Sequence, residues 1–275
     1  MSFSYKLVIA YDGTNYCGWQ KQKNSITIQG IIENALAIIY KAPICLIGAS
    51  RTDSGVHAIG QVAHFRSSIF IKPEKIQRQI NGIIPQDIRI LECSNTSPSF
   101  HARYLAKRKI YHYTINTSPI PNPMKRLYSY YISDFLDINL LTQAAQYFVG
   151  EMDFISFANR SDKNTIFSNS IRTIYAIDID VIGTEIIIKF LGNGFLYKMI
   201  RNIVGTLIAT AQRSIPIDDI PILLEKRDRT LVPMLAPALG LCLIQIEYDI
   251  NENLSFKEDS RYHLSLIHIS EPTRP

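Results

Sequence analysis

The sharpest chemical signal in the chain is the run Ala49-Ser-Arg-Thr-Asp-Ser-Gly-Val-His-Ala58. Asp-Ser-Gly is by itself an ordinary turn, and a lone Asp53 would serve there as a turn former. Its company opens a second reading. Arg51 stands two residues before the carboxylate, and apolar runs on both sides would hold the loop rigidly. A carboxylate fixed near a guanidinium stays ionised, and so is available as a nucleophile.

Other candidate chemistries are weaker. His57 and His64 have a strand start between them and do not match a metal-ligand spacing, so a metal-dependent hydrolase built on them is the poorest reading. Asp12-Gly-Thr lacks both the Gly-x-x-x-x-Gly-Lys pattern and the dinucleotide fingerprint, and reads as a turn. Gly192-Asn-Gly194 reads equally as an anion site at a helix N-terminus or as a connecting loop. No serine sits in a Gly-x-Ser-x-Gly elbow. Cys17, Cys45, Cys93 and Cys242 are too widely spaced for a zinc site or a redox pair. They read as small apolar residues in a reducing compartment.

The net charge of +5 is only mildly basic, but its distribution is uneven. From Cys93 to Ser133 there is no Asp or Glu, while Arg103, Lys107, Arg108, Lys109, Lys125 and Arg126 all fall inside. Phe100, Tyr104, Tyr111, Tyr113, Tyr128, Tyr130 and Tyr131 are interleaved with them. Cations attract phosphates and aromatic faces stack on exposed bases, so the mixture suits RNA. A solvated basic strand and loop explains it as well.

The elements that must position these residues follow from periodicity. Residues 5–11 alternate as a strand, 27–41 carry a helical apolar face, and 44–49 and 61–65 read as strands. A helix opened by proline is expected at 73–83 and a strand at 88–93. The second half repeats the pattern: strand 109–116, helix 139–149, hairpin 172–181 with 185–191, helix 196–212, an extra helix 217–226 and a strand 241–248. Each half is therefore β-α-β-β-α-β, the ferredoxin-like order, in an α+β chain with antiparallel sheets.

A length of 275 residues agrees with about two domains. They are expected at 1–105, carrying the Asp53 loop, and at 106–250. The tail 251–275 abandons the alternation and is expected to be non-native or disordered. The longest uncharged run, 230–246, is interrupted by Pro233 and Pro237 and is too short to span a bilayer. With no secretory signal at the N-terminus, a cytoplasmic protein without membrane association is expected.

Several motifs, in order, give the chain a specific resemblance to the tRNA pseudouridine synthase A family over residues 5–248. They are Tyr11-Asp-Gly-Thr-Asn-Tyr-Cys-Gly-Trp-Gln20, Arg51-Thr-Asp-Ser-Gly-Val-His-Ala58, Gly60-Gln-Val-Ala-His-Phe65 and Phe100-His-Ala-Arg103. Arg108-Lys-Ile-Tyr-His-Tyr113, Gly150-Glu-Met-Asp-Phe-Ile-Ser-Phe157, Phe195-Leu-Tyr-Lys-Met-Ile-Arg-Asn-Ile-Val-Gly-Thr206 and Ala236-Pro-Ala-Leu-Gly-Leu241 complete the set. Ser50 and Leu239 depart from the family pattern, which has glycine and a polar residue there.

The resemblance implies isomerisation of uridine to pseudouridine at positions 38, 39 and 40 of the tRNA anticodon stem-loop, with no metal and no cofactor. It implies Asp53 as the nucleophile, Arg51 as the residue that helps displace the base, and Tyr111 as the ring stacked on the target uracil. Arg201 would pair with the Asp53 carboxylate, so that both halves line one central catalytic cleft. Arg103, Lys107, Arg108 and Lys109 would contact RNA, and a homodimer is expected. A non-catalytic RNA-binding protein or tRNA chaperone on the same fold is the competing expectation.

Overall fold

The computed structural model describes residues 2–159 and 169–249, so the tail 251–275 lies outside the described residues. In chain order the first half is β1 (Phe3–Tyr11), α1 (Ile28–Tyr40), β2 (Leu46–Gly48), β3 (His57–Ser67), α2 (Pro73–Ile83) and β4 (Ile88–Asn95). The second half is β5 (Arg108–Asn116), β6 (Tyr130–Tyr131), α3 (Ile138–Gln146), β7 (Gly150–Asp153), β8 (Ile171–Ile182), β9 (Glu185–Gly192), α4 (Met199–Ala211), α5 (Asp219–Glu225) and β10 (Leu241–Glu247).

Local chemistry sets these boundaries. Thr27 caps α1 by accepting the Gly30 N–H at 3.3 Å, and Ile28, Ile32, Ala35 and Leu36 bury one helix face. Pro73 opens α2, where its missing N–H costs nothing, and that helix buries only Ile76 and Ile80. Beneath them lie Tyr5, Leu7 and Ile9 of β1 and Phe65 of β3, all buried. Helix α4 is different: every residue from Met199 to Ala211 is buried except Arg201. A helix apolar on all sides belongs inside the molecule, and its one charge then needs a partner.

The strands form one ten-stranded sheet in the order β4-β1-β3-β10-β5-β9-β8-β7, with β2 paired to β3 and β6 to β5. This corrects the expectation of separate sheets flanking a cleft. The last strand, β10, inserts between the halves, antiparallel to β5 and parallel to β3 through Cys242–His57 and Leu243–Ala58. Gly60 makes the approach possible, because a Cβ there would sit 2.1 Å from the Ile244 carbonyl oxygen. β6 and β7, with two and four residues, are too short to leave an alternating pattern and were not expected. Among the described residues no helix is long and apolar enough to cross a membrane.

Candidate active site

Asp53 sits in the loop between β2 and β3, and its position is fixed from several sides. The Thr52 carbonyl accepts the Trp19 N–H at 3.1 Å, and Thr52 Oγ1 and the Tyr11 hydroxyl share a 2.8 Å hydrogen bond. Ser54 Oγ donates to the Tyr16 carbonyl at 3.0 Å. Gly18, at φ +84°, lies against the loop so closely that a Cβ would fall 2.6 Å from the Thr52 oxygen. The Tyr11–Gln20 motif is thus a support for the Asp53 loop.

The carboxylate finds its partner in the other half. Arg201 Nη1 donates to Asp53 Oδ2 at 3.0 Å, and each side chain is only 11% exposed. Arg201 Nε donates to the Ala236 carbonyl at 2.8 Å, which fixes the plane of the guanidinium. Burial pushes the Asp53 carboxyl above its ordinary value, while the charge and hydrogen bond of Arg201, then the charge of Lys198, pull it back. The guanidinium beside Asp53 is therefore that of Arg201. Arg51, which the local spacing offered as that partner, is exposed at the rim of the cavity.

The same cavity is walled by Tyr111 and Phe195, whose rings meet edge to face at 5.4 Å, and by Leu196, Met199 and Leu241. The Tyr111 hydroxyl shares a 2.7 Å hydrogen bond with Ser50 Oγ. Burial pushes this phenol up, the Ser50 bond lowers it, and the Asp53 charge raises it again, so the hydroxyl keeps its proton. Ser50, noted only as a departure from glycine, thus orients the ring with its side chain. The cavity joins a weakly basic carboxylate, two aromatic rings and a rim guanidinium. That set suits a flat, neutral, hydrogen-bonding ring with a sugar attached.

Sequence reasoning missed Lys198 and Ser50. Lys198 precedes α4 in the left-handed region, at φ 62°, and its charge reaches Asp53. Nothing in the residue type announces that backbone state.

The expected RNA contacts separate. Arg103, Lys107 and Arg108 are exposed. Lys107 pairs with Asp249 at 3.0 Å and Arg108 with Glu247 at 3.4 Å. Lys109 turns inward instead: its ammonium donates to the Ala49 carbonyl at 2.8 Å. Burial, then the charges of Arg103 and Arg172, lower it to about 8. His57 and His64 serve different loops, with Nδ1 accepting from the Gly13 and Ala102 N–H groups, each at 3.1 Å. Among the described residues no group of His, Cys, Asp and Glu is arranged to hold a metal ion.

Comparison with known proteins agrees over most of the chain. The family model described as tRNA pseudouridine synthase matches residues 7–105 and 144–249. A tRNA pseudouridine synthase A 1 from Protochlamydia amoebophila is 45% identical over 250 residues, 90% of this chain and 97% of that protein. A tRNA pseudouridine synthase A from Acetivibrio thermocellus is 44% identical over 245 residues, 88% of this chain and 98% of that one. A solved Cbf5-Nop10-Gar1 complex aligns with 76% of this chain and 45% of its own at 12% identity, with a TM-score of 0.30, too distant to bear on the fold.

Proposed function

Because this chain belongs to the tRNA pseudouridine synthase A family, we propose that it isomerises uridine at positions 38, 39 and 40 of the tRNA anticodon stem-loop with Asp53 as nucleophile. The observation that carries the reading is the Asp53–Arg201 pair, 3.0 Å apart in a cavity walled by Tyr111.

The reaction breaks the bond from uracil N1 to C1′, turns the base and bonds C5 to C1′. A proton leaves C5 and one is gained at N1, so nothing is imported and no cofactor is required. The target is stacked in a stem or loop and must first be extruded. Arg51, at the rim, fills the space the base leaves and holds the flipped state open. Tyr111 stacks on the uracil and keeps it in the cavity while it turns. Asp53 supplies the electron pair that assists departure of the base, and Arg201 keeps that carboxyl charged once the bound base has excluded water. Lys107 and Arg108 exchange their surface acids for phosphates.

The reading extends to the architecture. The halves 1–105 and 106–250 act as two domains of the ferredoxin-like type. This is supported by the strand orders β4-β1-β3-β2 and β10-β5-β9-β8. Two copies form a dimer across which the tRNA lies, and light scattering at micromolar concentration tests that directly.

The deciding experiment uses tRNA transcript carrying tritium at uridine C5. Wild-type protein should release tritium without added metal or nucleotide. Asp53→Ala should release none while still binding tRNA. Release by the variant would remove Asp53 from the chemistry, and a wild type that binds but never releases tritium would leave only a tRNA-binding protein.

A further inference from the structure

The described residues enclose a second hollow, away from Asp53, lined by Cys45, Ile47, His64, Phe65, Arg66 and His101. No acidic side chain lines it. The His64 and His101 rings stand 4.9 Å apart. His101 Nδ1 accepts from the Arg103 and Tyr104 N–H groups at 3.3 and 3.2 Å. That fixes the ring and leaves its proton on Nε2, where it can be donated to a ligand.

At the edge of the hollow Tyr104 lies against His101, the ring centres 4.1 Å apart and the planes 28° from parallel. Tyr104 is 75% exposed although its ring is large. The Arg103 guanidinium carbon lies 5.9 Å from its ring centre. An exposed ring held flat by a stacking partner and flanked by a cation is what an unpaired base stacks on.

This platform is linked to the first cavity. The Arg103 charge reaches Lys109, and Lys109 bonds the Ala49 carbonyl at 2.8 Å, next to Ser50 and Arg51. Beyond Lys109, which stays turned inward, Arg103, Tyr104, His101 and Arg66 therefore form an outer track of cations and rings.

We propose that this track is a second nucleotide subsite, in which one tRNA base other than the target stacks on Tyr104. Its phosphate or sugar is held by Arg103, Arg66 and the Nε2–H of His101. The inference rests on the tRNA reading above and adds where a second nucleotide is gripped. An acidic protein surface would satisfy the cations but would leave the stacked rings unused.

The test measures tRNA affinity by anisotropy in an Asp53→Ala background, and kcat and KM in the otherwise native enzyme. Tyr104→Ala should weaken binding about tenfold, the scale of removing one base stack, and raise KM with kcat at saturating tRNA unchanged. Tyr104→Phe should bind as the wild type does, because the ring is kept. Single abasic nucleotides moved through the anticodon stem-loop should weaken wild-type binding at one non-target position where Tyr104→Ala shows no further loss. Unchanged affinity in Tyr104→Ala, loss in Tyr104→Phe equal to that in Tyr104→Ala, or no such abasic position would overturn the subsite. Wild-type protein that binds no tRNA would instead overturn the functional reading, and the subsite with it.

Discussion

The loop that carries Asp53 and the segment 101–109 that carries the basic residues are held in opposite ways. Around Asp53 nearly every polar group is tied: Thr52 to Trp19 and Tyr11, Ser54 to Tyr16, the carboxylate to Arg201. In the basic segment Lys107 and Arg108 are themselves 58% and 56% exposed, against acids 68% and 33% exposed. Bond making needs atoms fixed to fractions of an ångström, which only a packed and cross-linked loop supplies. Phosphate binding acts over several ångströms through mobile charges, and a rigid site would gain little from its rigidity. On the proposed function, one chain thus keeps its chemistry inside and its electrostatics outside.

The strongest way to break this comparison is to untie the Asp53 end. Arg201→Ala removes one partner of a buried pair, a change that typically costs about 3–5 kcal/mol, and turnover should fall at least a hundredfold. The acid limb of kcat/KM should also move. Asp53 already lies above the ordinary carboxylate value because of burial, and Arg201 is the largest influence lowering it. Without Arg201 the carboxyl holds its proton to higher pH, so activity should be lost at a higher pH than in the wild type. Arg201→Lys should restore only part of the rate, because an ammonium cannot bond Asp53 and the Ala236 carbonyl with one planar fork. A rate profile unchanged by Arg201→Ala would mean that Asp53 does not depend on its partner.

How much of this is legible in the sequence depends on the range of the interactions. α2 is readable from Pro73 and α1 from Thr27 and its apolar spacing, because both signals lie within the helix itself. The merging of the sheets is not, because it turns on Gly60 meeting Ile244, far along the chain, and a lone glycine carries no address. The Arg201–Asp53 pair is of the same kind. Composition shows only a charge among apolar residues, and the partner 148 positions away came from the resemblance. Lys109 misleads for the opposite reason. It sits in a basic run, but strand alternation sends it to the same face as Tyr111, toward Ala49 and Ser50.

That difference within one short run sharpens the comparison at intermediate scale. Lys107→Gln with Arg108→Gln should weaken binding of any tRNA by a similar factor, about tenfold. The slope of log affinity against log salt should fall by about one for each phosphate no longer neutralised. Their surface pairs with Asp249 and Glu247 are worth about 0–1 kcal/mol each, so thermal stability should barely change. Lys109→Gln should do the reverse, leaving the salt slope nearly intact and lowering kcat through the displaced Ala49–Ser50 backbone. Equal salt slopes for the two sets of variants would place Lys109 with the outer residues after all.

A further test lies in the pH dependence of stability, and it asks whether Lys109 belongs to the inner region. In the folded chain its ammonium titrates near 8, below the ordinary 10.5, chiefly because of burial. Below about pH 8 it is charged in both states, and the cost of burying that charge is felt in full. Between about 8 and 10.5 the unfolded chain holds the proton and the folded chain releases it. The unfolded state then binds more protons, so stability rises with pH across this window. Lys109→Met lacks the titration and keeps the aliphatic packing. The urea midpoint of the wild type should therefore gain on that of Lys109→Met as pH rises from about 7.5 to about 9.5, other groups cancelling in the difference. Removing the Arg103 charge should shift the onset to higher pH, since that cation is the second cause of the depressed value. A difference flat with pH would mean an ammonium that keeps its contact with water, and Lys109 would then belong with the exposed cations of the run rather than with the Asp53 loop.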